Sequence, residues 1–213
     1  NSYIHHNAAD DGINIKNAKI KLFGNIFANN FADQIDIDFG EGAIEDNIFL
    51  LVEDDSYITN KSQQASLMNI SPSDNGDGLD FSGSLILLKN NYFKGFIDKA
   101  VSIGEDTTII LDSNRFDNNR SAVTAKDQSN VYLLSNKYDN NKINIEIYQK
   151  KNFFTLPNVY ILNEVHSMSK VKNSNSEIYT INPKIDKFEF SDSLDTAFEE
   201  LSLLDWKLYS NSN

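Results

Sequence analysis

Cysteine is absent from the 213 residues of this chain, which excludes a disulfide framework and a thiolate metal site. Long apolar runs are absent too, and none reaches the length of a membrane-spanning helix, so we expect no membrane span. No signal peptide is visible at the first residues, which already resemble the interior of a repeat. We therefore expect a mature or truncated chain.

Positive charge is scarce in this sequence. The chain has 19 lysines and arginines against 31 aspartates and glutamates, which gives a net charge of −12. Because nucleic-acid phosphates would be repelled, we expect no nucleic-acid partner, and a cation or a neutral or basic partner fits better. With 40% hydrophobic and 23% charged residues, the composition is that of a globular protein rather than a disordered one.

A repeat of 22 residues dominates what is present. It is clearest between Gly76 and Asp127, where the phrases GDGLDFSGS, DKAVSIGED and SAVTAKDQ align. Leu79, Val101 and Val123 hold equivalent places, and the residue two positions after each is also apolar. Alternation over so few residues predicts short strands with one buried face.

A second marker, Asn-x-aromatic, recurs with spacings of 22, 44, 23 and 22 residues. A 22-residue unit cannot bury its own apolar face, so neighbouring units must stack on it. Stacking predicts an all-β fold, a right-handed parallel β-helix of about six to seven turns with inward columns of Ile, Val, Leu and Phe. The repeated asparagines are expected to form an amide ladder at one corner. They are Asn25, Asn47, Asn91, Asn114 and Asn136.

Two regions depart from the repeat. The 44-residue spacing contains residues 50–75, a polar segment that we interpret as a long loop, with a weak extra turn of the coil as the alternative. We expect the β-helix to cover residues 1–165, and a linker and a helical cap to cover residues 166–213. Apolar residues at helical spacing in this tail predict an amphipathic cap helix, with a docking segment for another domain as the alternative. These residues are Leu194, Phe198, Leu201, Leu204 and Leu208.

The phrases DKAVSIGE at 98–105 and KDQS at 126–129 are the most specific part of the repeat. With the other phrases, they resemble right-handed β-helix repeats of bacterial exported and surface proteins, within the broad pectate-lyase-like class. The resemblance covers residues 3–165 and implies a secreted or cell-surface location in the bacterial envelope. The wider class implies polysaccharide lyases, hydrolases and epimerases as well as non-catalytic adhesins, and the fold does not choose among them.

The sequence departs from that class in its catalytic residues. Pectate lyases typically pair calcium-binding carboxylates with a basic residue, often arginine, and the only arginines here are Arg115 and Arg120, beside Asn-rich corners. The Asp-Pro-His phrase of alginate epimerases is missing. The Asp-Asp and Gly-Asp pairs of galacturonan hydrolases are matched only loosely, by Gly76-Asp77.

Aligning the units places polar side chains in two outward columns on one strip of surface. The first column contains Asn14, Asp36, Asp80, Ser102, Thr124 and Glu146. The second column contains Lys16, Asp38, Ser82, Gly104, Lys126 and Tyr148. At the edge of the columns lie Asp77, Lys99, Glu105 and Asp127.

Carboxylates that stack closely in these columns predict an ion site. Two like charges in close contact either raise the pKa of one group or recruit a cation. Asp36, Asp38 and Asp80 are therefore candidate ligands for calcium, the one cofactor that the sequence suggests.

Acid–base catalysis is the second hypothesis for the same strip. Lys99 or Lys126 would act as the base in β-elimination of a uronate, or a carboxylate pair that includes Asp80 would hydrolyse a glycoside. The candidate substrate-binding residues are Glu105, Asp127 and Tyr148. The structural alternative is that Lys99, Glu105, Lys126 and Asp127 form a salt-bridge ladder between turns.

We therefore expect an extracytoplasmic, carbohydrate-interacting β-helix protein, with a polysaccharide lyase or hydrolase activity on the outer strand face as one form of that function. Its partner would be a polysaccharide or another surface glycan. The alternative is a non-catalytic structural or adhesive module of a larger surface assembly, which would contact other subunits through the C-terminal tail.

Overall fold

The computed structural model describes residues 1–8, 10–51, 76–162, 170–173 and 177–180. All regular secondary structure within these residues consists of β-strands, and eighteen of the strands form three parallel sheets. Sheet A contains β1 (Tyr3–His5), β4 (Ile26–Ala28), β7 (Ile48–Leu50), β10 (Tyr92–Lys94), β13 (Arg115–Asp117) and β16 (Lys137–Asp139). Sheet B contains β2 (Ile13–Lys16), β5 (Ile35–Asp38), β8 (Leu79–Ser82), β11 (Lys99–Gly104), β14 (Ser121–Lys126) and β17 (Ile143–Tyr148). Sheet C contains β3 (Lys19–Phe23), β6 (Glu41–Glu45), β9 (Leu85–Lys89), β12 (Thr108–Asp112), β15 (Asn130–Leu134) and β18 (Asn158–Leu162).

Each strand of these sheets pairs in parallel with the strand three places later in the chain. One passage through sheets A, B and C is therefore one turn of a coil, and the chain forms a parallel β-helix of about six turns. This architecture confirms the predicted fold. The predicted cap helix lies outside the described residues.

Strand pairing also fixes how the coil continues across the longest interruption of the repeat. Strand β5 pairs directly with β8, and β7 pairs directly with β10. The turn that ends at Leu51 therefore stacks on the turn that begins at Gly76, with no further turn between them. As a result, Asp36 lies directly opposite Asp80.

The core is a set of columns in which equivalent residues of successive turns touch. Phe27, Phe49, Phe93, Phe116 and Tyr138 stack with ring centroids 5.1, 4.8, 5.1 and 5.4 Å apart. On sheet B the alternating apolar positions stack in the same way and are completely buried from β5 to β14. One such column contains Ile35, Leu79, Val101, Val123 and Ile145.

The repeated asparagines form the predicted ladder at the entrance to sheet A. From Asn47 onward, the Oδ1 atom of each asparagine accepts a 2.9 Å hydrogen bond from the backbone N–H of the asparagine one turn earlier. In the middle of the ladder, the Asn91 amide also donates to the carbonyls of Ile44 and Lys89 at 2.8 and 2.9 Å. The side chains thus satisfy backbone groups that a sharp corner would otherwise leave unpaired.

Corners between sheets use the left-handed backbone region, which small polar residues and glycine tolerate best. After sheet C, this position is occupied by Gly24, Asp46, Asn90, Ser113 and Ser135. After sheet B, at what we call the B–C corner, it is occupied by Asn17, Phe39, Gly83, and the pairs Glu105–Asp106 and Asp127–Gln128. The predicted role of Asn, Asp and Gly at tight corners is confirmed, with Phe39 as a conspicuous departure.

Beyond the coil, strands β19 (Lys170–Asn173) and β20 (Glu177–Thr180) form an antiparallel pair, and β19 lies beside β17 at the end of sheet B. In the part of the chain that the structure describes, no helix has the length and apolar character needed to cross a membrane.

Candidate functional site on the outer face of sheet B

The outward columns expected from the sequence both lie on the outer face of sheet B. The register places Asp36 against Asp80, Asp80 against Ser102, and Ser102 against Thr124. Because Ile35 and Ile37 on either side of Asp36 point into the core, Asp36 points outward. The face therefore presents a continuous line of polar side chains across the turns.

Lys126 is the most buried lysine among the described residues of this face, with 7% of its side chain exposed. Its Nζ atom donates a 2.6 Å hydrogen bond to Ser102 Oγ and lies 3.6 Å from Asp80 Oδ1. To reach Asp80, the side chain passes over Gly104 of the intervening turn. A Cβ atom at Gly104 would lie 3.3 Å from Lys126 Cε, so glycine leaves room for this passage.

Asp80 has a buried carboxylate oxygen in a partly exposed side chain. Oδ1 is buried without a hydrogen-bond partner, although 32% of the side chain as a whole is exposed. A buried carboxylate oxygen without a hydrogen bond is costly, and the nearby Lys126 ammonium offsets part of that cost by its charge.

Lys99 lies at the entrance edge of sheet B between two aspartates. Its Nζ atom is 3.3 Å from Asp77 Oδ1 and also donates to Asp98, which accepts a 3.0 Å hydrogen bond from Arg120 Nη1 as well. Burial by itself lowers the pKa of Lys99, but the charge of Asp77 and the hydrogen bond to Asp98 outweigh it, so the pKa is raised. The environment thus favours the ammonium form and disfavours the neutral amine that a general base requires.

Three carboxyl groups near the same edge have raised pKa values. Burial, followed by the charges of Asp38 and Asp80, raises the pKa of Asp36 to about 6. Burial raises the pKa of Asp77 to about 7 despite the opposing charge of Lys99, and burial also raises the pKa of Asp33 to about 7. Carboxyl groups with such pKa values can hold a proton near neutral pH and can therefore act as acids.

The Asp36–Asp80 pair has a separation set by the fold. Neighbouring strands lie about 4.8 Å apart, so two outward side chains in register place their carboxyl groups about 5 Å apart. That spacing is close to the separation in glycosidases that retain the anomeric configuration, where one carboxyl is the acid and the other the nucleophile.

Asp38 has a different environment from the other two candidate calcium ligands. Its Oδ2 atom forms a 2.8 Å salt bridge with Lys16. Across the described ranges, no three His, Cys, Asp or Glu side chains form a group that could hold a metal ion. Calcium binding therefore stays a prediction, with Asp36 and Asp80 as the members of the trio that lie directly opposite each other.

The predicted substrate-binding residues Glu105 and Asp127 contact the segment that follows β17. Asp127 is buried and its Oδ1 atom accepts hydrogen bonds of 2.6 and 2.8 Å from the backbone N–H groups of Lys150 and Lys151. Glu105 forms a salt bridge with Lys151. Both residues hold this segment in place. Tyr148 is half-buried beside Lys126, and burial raises its pKa.

Lys99, Glu105, Lys126 and Asp127 do not pair with one another as the structural alternative supposed. Each contacts another residue instead, and Asp98 and Lys151 among those partners were not anticipated. Sequence reasoning also missed a ladder of aspartates, although the sequence contains a signal for it. Asp11, Asp33 and Asp77 each stand two residues before the first inward residue of a sheet B strand. In the structure they form a second ladder, in which each carboxylate accepts the N–H one turn later, at 3.1, 2.6 and 3.0 Å.

Interruptions of the repeat occur at both edges of sheet B. The chain leaves the coil after Leu51, at the corner that leads into β8, and segment 149–157 follows β17 at the B–C corner. The described segment 149–157 thus borders the outer face of sheet B. Comparisons with protein-family models, with curated proteins and with solved structures found no match to this chain.

Proposed function

We propose that this chain is an extracytoplasmic, carbohydrate-interacting β-helix protein that binds a glycan on the outer face of sheet B and hydrolyses it. The observation that carries the proposal is the carboxylate pair of Asp36 and Asp80, held in register on adjacent turns. The described segment 149–157 borders this face at the B–C corner, and binding residues often lie on loops positioned by a rigid scaffold.

The two carboxyl groups are suited to different roles. Asp36, with a pKa of about 6, supplies the general acid that protonates the leaving glycosidic oxygen. Asp80, whose Oδ1 atom lies 3.6 Å from Lys126 Nζ, supplies the carboxylate that attacks the anomeric carbon. Environments that separate the behaviour of two neighbouring carboxyl groups in this way are typical of glycoside hydrolysis.

Hydrolysis is favoured over β-elimination because of the environment of Lys99. A lysine base must lose its proton, and the carboxylates of Asp77 and Asp98 oppose that loss. The charge of the face also bears on the substrate. Carboxylates outnumber cations there, so a neutral or amino glycan fits directly, whereas a uronate would need a cation such as calcium to bridge it.

The second candidate function is a non-catalytic structural or adhesive module. It is favoured by the extent to which charges of the face pair within the chain, as Lys99 does with Asp77 and Glu105 does with Lys151. Pairs between turns stabilise the stack modestly and require no ligand.

The test is incubation with cellulose, xylan, chitosan, polygalacturonate and alginate, with and without calcium. We expect new reducing ends on a neutral or amino polysaccharide, lost in Asp36→Asn and Asp80→Asn. Unsaturated products from a uronate would indicate elimination and contradict the hydrolytic assignment. Binding without cleavage would favour the adhesive module, and neither binding nor cleavage on any member would contradict the carbohydrate proposal.

A further inference from the structure

Phe39 occupies a backbone position that does not suit it. Its φ angle is 54°, in the left-handed region, where a side chain crowds the following carbonyl. The equivalent corners of the other turns have Asn17, Gly83, the pair Glu105–Asp106 and the pair Asp127–Gln128 in this region. A phenylalanine here is a strained outlier in a ladder of glycine and polar residues.

Burial does not compensate for this strain, because 62% of Phe39 is exposed. The ring rests against Gly83 of the next turn, where a Cβ atom would come within 2.6 and 2.7 Å of two ring carbons. Glycine at position 83 thus leaves space for the ring beside the coil. The Phe39 ring therefore contacts the next turn of the coil on one side and is exposed to solvent on the other.

The position of Phe39 relates it to the candidate site. It follows β5 directly and is three residues after Asp36, so it stands on the rim of the sheet B face at the B–C corner. Segment 149–157 lies at the same corner four turns away, on the order of 19 Å along the stack. That segment exposes Phe153, at 79%, and Leu156, at 48%.

We propose that Phe39 is a sugar-stacking residue, whose ring contacts the apolar C–H face of a pyranose bound beside Asp36 and Asp80. The proposal rests on the proposed function and identifies a positioning residue for it. Strained residues retained at exposed positions are a recognised feature of ligand sites, and an exposed ring offers contact area at low entropic cost. The strain would then be the consequence of placing a ring where the sugar needs it.

The experiment replaces Phe39 by asparagine, the residue of the equivalent corner at position 17. Relief of the backbone strain should raise Tm by about 2 to 4 °C. Retention on the polysaccharides named above should weaken by about 2- to 10-fold, the range for one aromatic contact. Phe39→Tyr keeps the ring and should keep both the wild-type Tm and the wild-type retention.

The matched control is Phe23→Ser, which removes another exposed ring at the far end of sheet C from the B–C corner. It should leave retention unchanged. A fall in Tm for Phe39→Asn would show that the ring serves the fold and would overturn the inference. If the wild type binds a polysaccharide and Phe39→Asn binds it equally well, the sugar-stacking role of Phe39 is overturned and the proposed function is not. If the wild type binds no polysaccharide, the proposed function is overturned as well.

Discussion

At the scale of single residues, this coil depends on side chains that satisfy the backbone of the neighbouring turn. Asparagine suits that task because its amide both donates and accepts. At Asn91 the oxygen accepts from the N–H and the side-chain amide of Asn47, while the amide donates to two carbonyls and to Asn114. A single side chain thus joins three turns.

Asn91→Ala is therefore expected to destabilise the protein by about 2 to 4 kcal/mol, because several buried groups lose their partners together. The measurement is the free energy of unfolding from urea titration. The matched control is Asn25→Ala at the start of the ladder, where the residue is only half-buried and the cost should be clearly smaller. Equal losses for both variants would contradict a ladder whose interior members matter most.

Buried carboxyl groups make stability depend on pH. The pKa values of Asp33 and Asp77 are raised from 3.8 to about 7 in the folded chain, chiefly by burial. Because the folded state then binds more protons than the unfolded state, their contribution is fully present below pH 3.8 and is lost as the pH rises through about 7. Thermal unfolding across this window should show Tm falling as the pH rises.

Asp33→Asn isolates that effect, because asparagine keeps the oxygen that accepts the Asp77 N–H but cannot ionise. We expect it to stabilise the protein by about 1 to 3 kcal/mol at pH 8 and by little at pH 4. Asp10→Asn, at an exposed site, is the control and should leave the pH profile unchanged. A constant difference between Asp33→Asn and wild type at every pH would contradict the burial argument.

At the scale of elements, the segment after β17 shows how one buried carboxylate fixes a loop. Asp127 accepts from two consecutive backbone N–H groups, and Lys151 reaches Glu105 two turns away. The same loop exposes Phe153. Its conformation is thus decided by hydrogen bonds to the coil rather than by burial of its own apolar residues.

Asp127→Ala should release segment 149–157, since each charge-assisted hydrogen bond contributes about 1.5 to 3 kcal/mol. Limited digestion with chymotrypsin should then cut after Phe153 several times faster than in the wild type. Asp127→Asn keeps an oxygen acceptor and should show an intermediate rate. Identical cleavage in all three proteins would indicate that Asp127 does not hold the segment.

At the scale of the whole molecule, the stack is continuous across the insertion. Leu51 stands opposite Gly95, and the next turn needs only Phe96, Ile97 and Asp98 to connect Gly95 to Lys99. If residues 52–75 were removed, two residues placed between Leu51 and Gly76 would therefore be enough to connect the two parts of the coil.

Replacing residues 52–75 by Gly-Ser is expected to leave the β-sheet circular dichroism spectrum unchanged and Tm equal or higher, because a shorter loop costs less entropy to close. The control replaces residues 99–104 by the same dipeptide, which removes the strand that pairs with both β8 and β14 and should unfold the neighbouring turns. Loss of the sheet spectrum in the first variant would show that the coil depends on the insertion.

Much of the fold could be predicted because it depends on periodicity. Leu79, Val101 and Val123 repeat at the interval of one turn, so their burial in a column follows from the sequence. The Asn ladder and the outward column that contains Asp36 and Asp80 follow from the same interval. A repeat of fixed length carries its own register, and this is why strand pairing could be derived without a structure.

The site could be predicted only in part, because the contacts of long side chains do not follow the repeat interval of one turn. Lys126 reaches past Gly104 to Asp80, and Lys151 reaches Glu105, each across two turns. The strain at Phe39 is a backbone property that the sequence does not display. By itself the sequence determined the coil and which residues face outward, because both follow from local alternation. Only the tertiary structure decided which charges meet and which carboxyl groups keep a proton, because burial and distance between turns set those outcomes.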